Sequence, residues 1–182
     1  RQRQMCIRDR ACTWELVDAY AEGRDFFNGY GPTEVTIWTH FRKFSTRMQN
    51  ADIPPIGRQI DNLTMYVLDS DLNPVPVGAF GQLYIGGVGL SRGYHNRPDI
   101  TAEKFFPNPF SQSGERIYAT GDLVKFLPDG SVVYEGRIDF QTKIRGFRVE
   151  MGEIQAALNL AENVVDSLVL VREDVPQQKR IV

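Results

Sequence analysis

Cysteine is nearly absent from this chain. Cys6 and Cys12 are the two among 182 residues, too few for a disulfide framework or a zinc site, which fits a reducing cytoplasm as the expected location. No apolar run approaches the length of a bilayer span, and the apolar stretch of a signal peptide is missing. Charge of neither sign is concentrated: 21 Lys and Arg stand against 23 Asp and Glu, for a net charge of −2. With no persistent lysine/arginine block, neither a nucleic-acid groove nor a membrane patch is expected. His40 and His95 stand alone, without a partner at metal-ligand spacing, and read as surface or core residues. What is present is ordinary for a globular protein: 42% apolar and 24% charged residues, enough for one sizeable core or one and a small second one.

The first ten residues are set apart. Gln4 to Arg10 reads QMCIRDR, the translation of CAG ATG TGT ATA AGA GAC AG, which looks like the transposon end used to tag sequencing libraries, so residues 1–10 are expected to be an artefact. They hold four arginines and one aspartate, and without them the net charge moves from −2 to −5. Beyond them, Glu15 to Tyr20 suits a short helix stopped by Gly23, with Phe26-Phe27 opening a buried strand. Leu63 to Leu68 and Gln82 to Ile85 alternate like strands. Asp99 is placed as the N-cap of a short helix reaching Phe105. Ile117 to Phe126 and Val132 to Tyr134 flank Pro128-Asp129-Gly130, a turn signal that predicts a β-hairpin. A second unit is expected from Asp139: a strand over Thr142 to Val149, a helix with Ile154, Ala157, Leu158 and Ala161 on one face, a strand over Val164 to Val171, and a strand beginning at Ile181-Val182. An unfinished strand leaves a sheet edge unpaired, so the chain is expected to be truncated.

Two segments carry chemistry by residue type. Asn28-Gly29-Tyr30-Gly31-Pro32-Thr33-Glu34 sets two glycines and a proline around an aromatic face, a hydroxyl and a carboxylate. Backbone of that kind can approach a ligand closely, while the hydroxyl suits a phosphate and the carboxylate suits Mg²⁺. The same Gly/Pro cluster also serves as an ordinary tight turn. Tyr118-Ala119-Thr120-Gly121-Asp122-Leu123 puts a carboxylate after a glycine in a strand-forming stretch, suited to accepting both hydroxyls of a ribose. Lys143 and Arg145 alternate on a predicted strand, a pattern shared by solvated faces.

Taken together, the motifs resemble the adenylate-forming, AMP-binding superfamily, and within it the adenylation domains of nonribosomal peptide synthetases. N-x-Y-G-P-T-E (Asn28 to Glu34), G-Q-L-Y-I-G-G-x-G-L-S-R-G-Y (Gly81 to Tyr94), Y-x-T-G-D-L (Tyr118 to Leu123) and G-R-x-D-x-Q-x-K-I-R-G-x-R-V-E (Gly136 to Glu150) occur in the family's order. The resemblance covers Ala11 to Val182. It implies a nucleotide site of Asn28, Tyr30, Gly31, Thr33, Asp122 and Arg137, in which Tyr30 stacks on adenine and Asp122 with Arg137 holds the ribose. It implies that Thr33 and Glu34 are catalytic, Thr33 at the α-phosphate and Glu34 at Mg²⁺. Gly29, Ile37 and Trp38 match one side of an amino-acid pocket, Asp139 matches a hinge, and Lys143, Gly146 and Phe147 match a surface that meets phosphopantetheine. The glycine-rich segment Gly81 to Tyr94 is taken as architectural.

The resemblance further implies ATP and Mg²⁺ as cofactors, an amino acid as substrate, and a phosphopantetheine-bearing peptidyl carrier protein and a condensation domain as partners. The expected fold is α/β: residues 11–138 complete a large subdomain with a distorted β-barrel portion, and residues 139–182 begin a small α+β subdomain. The phosphate loop, the amine-binding aspartate and the catalytic lysine of such a domain are not found in the chain, which is therefore expected to be inactive when isolated. Two other readings stand beside this one: an acyl-CoA synthetase-like ligase, and a noncatalytic nucleotide-binding remnant. Against the first, the Q-x-K-I-R-G-F-R-V-E-M-G-E-I run and the P-T-E ending of the loop look more like the amino-acid-activating branch.

Overall fold

The computed structural model describes residues 12–49, 51–139, 141–144, 147–175 and 180–182, with the backbone alone at Lys143 and Arg148. Residues 1–10, assigned above to an artefact, lie outside them, as do Arg145 and Gly146. The chain divides into two compact units, Cys12–Ile138 and Asp139–Val182.

The first unit opens with α1 (Trp14–Tyr20), where the Thr13 hydroxyl accepts the Leu16 amide at 3.4 Å and Glu15 sits in the first turn, both favourable at a helix start. Its Trp14 and Val17, with Ala21, pack against Phe44 in a small core of their own. Gly23, at φ 66°, follows the helix. An antiparallel three-stranded sheet comes next, from β1 (Phe26–Tyr30), β2 (His40–Phe44) and β3 (Arg58–Gln59). β1 is less covered than its sequence suggests, since Phe27 is 55% exposed; it points away from the α1 core, beside Lys43 across the pair.

The larger sheet is antiparallel and ordered β4 (Leu63–Leu68), β5 (Phe80–Gly87), β7 (Arg116–Phe126) and β6 (Phe105–Pro107), with β8 (Val132–Arg137) also pairing β7. Alternation puts Leu83 and Ile85 into one core with Val67, Tyr118 and Val124, and Tyr84 into another with Leu68, Ile117 and Ala119, so this sheet buries apolar side chains on both faces. The predicted hairpin is the β7–β8 pair. Between β5 and β6 lies α2 (Pro98–Lys104), which starts after Arg97. Asp99 is not its cap: proline takes the first helical position, as it favours, and the Asp99 carboxylate instead receives the Arg97 guanidinium at 2.9–3.2 Å.

In the second unit the stretch expected as one strand is two, β9 (Thr142–Ile144) and β10 (Phe147–Val149), paired antiparallel. α3 (Met151–Asn159) follows, with Leu158 45% exposed on its apolar face. Only the end of the stretch from Val164 to Val171 is strand, β11 (Val171–Arg172), paired with β12 (Arg180–Ile181). Leu170 also bonds to Val182 through both backbone groups at 2.9 Å, so pairing is confined to the residues with a partner opposite. The fold is thus mixed α/β, and no helix among the described residues is long and apolar enough to cross a membrane.

Candidate nucleotide site

The loop joining β1 to β2 is folded back on itself. The Thr39 amide and hydroxyl both donate to the Tyr30 carbonyl, at 2.8 and 3.2 Å, and a 3₁₀ turn over Thr33–Val35 fills the space between. Gly31 is required by that closure: a Cβ there would stand 2.2 Å from the Ile37 carbonyl oxygen. Thr36 and Ile37 adopt φ of 55° and 76°, a region that β-branched residues avoid. The Thr36 hydroxyl donates to the Gly89 carbonyl at 2.7 Å and holds the first of them.

A kink in β7 aims the second element. Gln82 pairs with Leu123 but Tyr84 with Ala119, so extra residues of β7 bulge out around Gly121, which has φ 75°; such bulges re-aim side chains. Asp122, 5% exposed, is the product. Its backbone amide donates to the Thr120 hydroxyl at 3.0 Å, and that hydroxyl donates to the Leu83 carbonyl at 2.8 Å. Its carboxylate receives the Tyr30 hydroxyl on one oxygen and the Arg137 guanidinium, at 2.8 Å, on the other. Arg137 sits directly opposite Asp122 on β8 and also donates to the Thr120 carbonyl at 3.0 Å. Burial first, then the Asp122 charge, hold the Tyr30 hydroxyl protonated well above the usual range for tyrosine. An ionised carboxylate only accepts hydrogen bonds, so Asp122 is of the right type to receive hydroxyl groups.

Around this pair the other expected residues distribute unevenly. Tyr30 packs edge-on against His40 and tilted against Tyr134. His40 is fully buried, within 2.8 Å of the Thr39 hydroxyl and 2.7 Å of the Met65 sulfur, and burial lowers its pKa to about 4. The Trp38 indole lies on Gly29, where a Cβ would come within 1.9 Å of it, and stacks on Phe41 at 4.9 Å, so Gly29 and Trp38 form one surface with Ile37 39% exposed nearby in sequence. Asn28 turns its amide to the Pro55 carbonyl at 2.9 Å. Thr33 is exposed at the start of the 3₁₀ turn, whereas Glu34 beside it is 6% exposed. In the second unit, the Asp139 carboxylate accepts the Gln141 amide at 3.2 Å and Phe147 is 76% exposed.

Three residues not assigned a role from sequence belong to this arrangement. Thr120 orients Asp122, Tyr94 donates to Glu34 Oε1 at 2.7 Å, and Tyr118 lies 3.4 Å from the Tyr94 hydroxyl. Burial first, and then the bonds to Tyr118 and Glu34, keep Tyr94 protonated. Thr120 was within reach, being inside the Y-x-T-G-D-L motif. Tyr94 closes the glycine-rich segment taken as architectural from the sequence.

Residues 4–95, just over half of the chain, match the family described as AMP-binding enzyme. One of the linear gramicidin synthase proteins of Brevibacillus parabrevis is 54% identical over 177 residues, which are 97% of this chain and 3% of that protein. An artificially fused adenylation–PCP di-domain of a nonribosomal peptide synthetase from Klebsiella oxytoca has the same fold with a TM-score of 0.78 and 28% identity, over 94% of this chain and 32% of that one. A holo four-domain nonribosomal peptide synthetase, crystallised with AMP and glycine, matches 94% of this chain and 13% of its own at 36% identity and a TM-score of 0.64. The chain therefore spans about a third or less of each of these proteins.

Proposed function

The chain belongs to the family of AMP-binding enzymes, and from that premise we propose that its parent protein joins an amino acid to AMP and passes the aminoacyl group to a carrier-protein thiol. Its similarity is to adenylation domains of nonribosomal peptide synthetases. In the first step an oxygen of the amino-acid carboxylate bonds to the α-phosphorus of ATP as the bond to pyrophosphate breaks. In the second the phosphopantetheine thiol attacks the aminoacyl carbon, its proton passes to solvent and AMP leaves. The observation that supports this reading most directly is the buried Asp122 carboxylate between Tyr30 and Arg137. A carboxylate fixed in direction is an acceptor of the kind that ribose hydroxyls require.

This chain's residues supply placement. Asp122 and Arg137 hold the ribose; Tyr30 offers its ring to adenine, with Asn28 and Gly31 setting the backbone around it. Thr33 presents an exposed hydroxyl to the α-phosphate. Glu34 fits Mg²⁺ by donor chemistry: its buried carboxylate is a hard oxygen ligand. That suits an ion bound through one or two carboxylates and substrate phosphates rather than a protein cage. Bound there, the ion would offset charge on the phosphate oxygens. On this reading Gly29, Ile37 and Trp38 belong to the amino-acid side, Asp139 is the hinge, and Lys143, Gly146 and Phe147 are assigned to the pantetheine from the motif that they match. The phosphate loop, the amine-binding aspartate and the catalytic lysine are assigned to the rest of the parent's adenylation domain, and a carrier and a condensation domain are the parent's proposed partners.

Amino-acid-dependent pyrophosphate exchange by the parent domain tests the reading. Hydrogen bonds to a charged group contribute roughly 1.5–3 kcal/mol, so Asp122→Ala lowers kcat/KM for ATP at least about tenfold. Because it also leaves Arg137 without its carboxylate, Asp122→Asn is measured beside it, with thermal midpoints for both. Unchanged kcat/KM in two folded variants removes Asp122 from the nucleotide site.

A further inference from the structure

Glu34 sits in a 3₁₀ turn of three residues, too short to fix a side chain by itself. Two hydrogen bonds from one other segment help to hold it. The Ser91 amide donates to the Glu34 carbonyl at 2.8 Å, and the Tyr94 hydroxyl donates to its Oε1 at 2.7 Å. That segment is itself anchored at points independent of Glu34. Arg116 donates to the Ser91 and Arg92 carbonyls at 3.1 Å, and the Tyr94 amide donates to the Thr101 hydroxyl at 2.9 Å. The Tyr94 ring packs edge-on to Phe105, which is buried and packs in turn on Tyr118. The hydroxyl therefore reaches the carboxylate from a ring already fixed by packing and by backbone.

From this geometry we infer that Tyr94 is a positioning residue for Glu34, holding the carboxylate plane so that it meets Mg²⁺ and the nucleotide phosphates without reorganising. The inference rests on the role given to Glu34 above. Donors that orient a ligating carboxylate fix its direction, and losing one weakens metal binding by about tenfold or more. Tyr94→Phe removes the donor and keeps the ring that packs on Phe105.

The test uses the parent adenylation domain in three forms, unmodified, Tyr94→Phe and Glu34→Gln. Two readouts are taken: the Mg²⁺ concentration for half-maximal pyrophosphate exchange, and, without turnover, Mn²⁺ binding in the presence of a non-hydrolysable ATP analogue, followed by electron paramagnetic resonance. Tyr94→Phe is expected to raise both midpoints about tenfold, while ATP KM at saturating Mg²⁺ moves less than about twofold and Glu34→Gln shifts the midpoints in the same direction. A Tyr94→Phe protein with a lowered thermal midpoint but unmoved metal midpoints, beside a shifted Glu34→Gln, overturns the inference and leaves the metal role of Glu34 standing. Unmoved metal midpoints in both variants overturn the role of Glu34 and the inference together.

Discussion

In Cys12–Ile138 the polar side chains assigned to nucleotide are tied into a packed frame: Glu34 and Asp122 are almost wholly buried, and each accepts a hydrogen bond from another strand or loop. In Asp139–Val182, Met151 and Val169 are the buried hydrophobic residues among those described, while Leu160, Val165 and Leu168 are 87, 100 and 72% exposed. The contrast suits two tasks. Holding a nucleotide needs side chains fixed to fractions of an ångström, which internal bonds supply. A unit that presents a surface, the part proposed above for Asp139–Val182, needs less of its own core.

The sharpest way to break this contrast is at its boundary. Proline fixes φ near −65° and restricts the residue before it, so Asp139→Pro in the parent protein is expected to abolish most carrier loading and to spare adenylate formation. Single-turnover pyrophosphate release and carrier loading, measured on one preparation, decide it. Equal losses mean that Asp139 belongs to the frame and is not a pivot.

A smaller effect marks the first unit alone, since Asp139–Val182 contains no histidine. Burial depresses the His40 pKa from 6.5 to about 4. Above about pH 6.5 neither state binds the proton and the stability is fully present; as pH falls toward 4 the unfolded chain takes up a proton that the folded one refuses, and stability is lost. The shift corresponds to about 3 kcal/mol across that window. Urea unfolding of the parent domain from pH 7.5 to 4.5 should show this slope, and His40→Gln should flatten it. The smallest effects come from a pair of glycines. Gly31→Ala forces a Cβ against backbone and should cost roughly 1–3 kcal/mol. Gly152→Ala, in α3 with nothing within 4 Å, should raise stability by at most about 1 kcal/mol. Denaturant midpoints of the two variants compare the units directly.

Elements set by local chemistry were legible in the sequence: α1 from the pattern of Glu15 to Tyr20 and the stop at Gly23, the β7–β8 hairpin from Pro128-Asp129-Gly130, and β4 and β5 from alternation. The misses arose where partners decide. Thr142 to Val149 reads as one charged strand despite Gly146 in its interior, yet the ladder pairs its two ends with each other. Val164 to Val171 is more apolar but finds a strand partner only at its end. At the site, motif residues could be named one by one, and the bond from Tyr30 to Asp122 could not, because 92 positions separate them. Tyr94 was hidden for the same reason, its partner Glu34 lying 60 residues away.

The backbone at Ile37 bears on any attempt to randomise the amino-acid pocket proposed above. A β-branched residue at φ 76° carries strain that glycine or asparagine at the same place would relieve. A library varied at this position therefore mixes two signals, the fit of a new substrate and the release of a local backbone penalty. Variants enriched for glycine or asparagine would rise in abundance through better folding whatever substrate they accept, so their yield has to be measured before their selectivity is ranked.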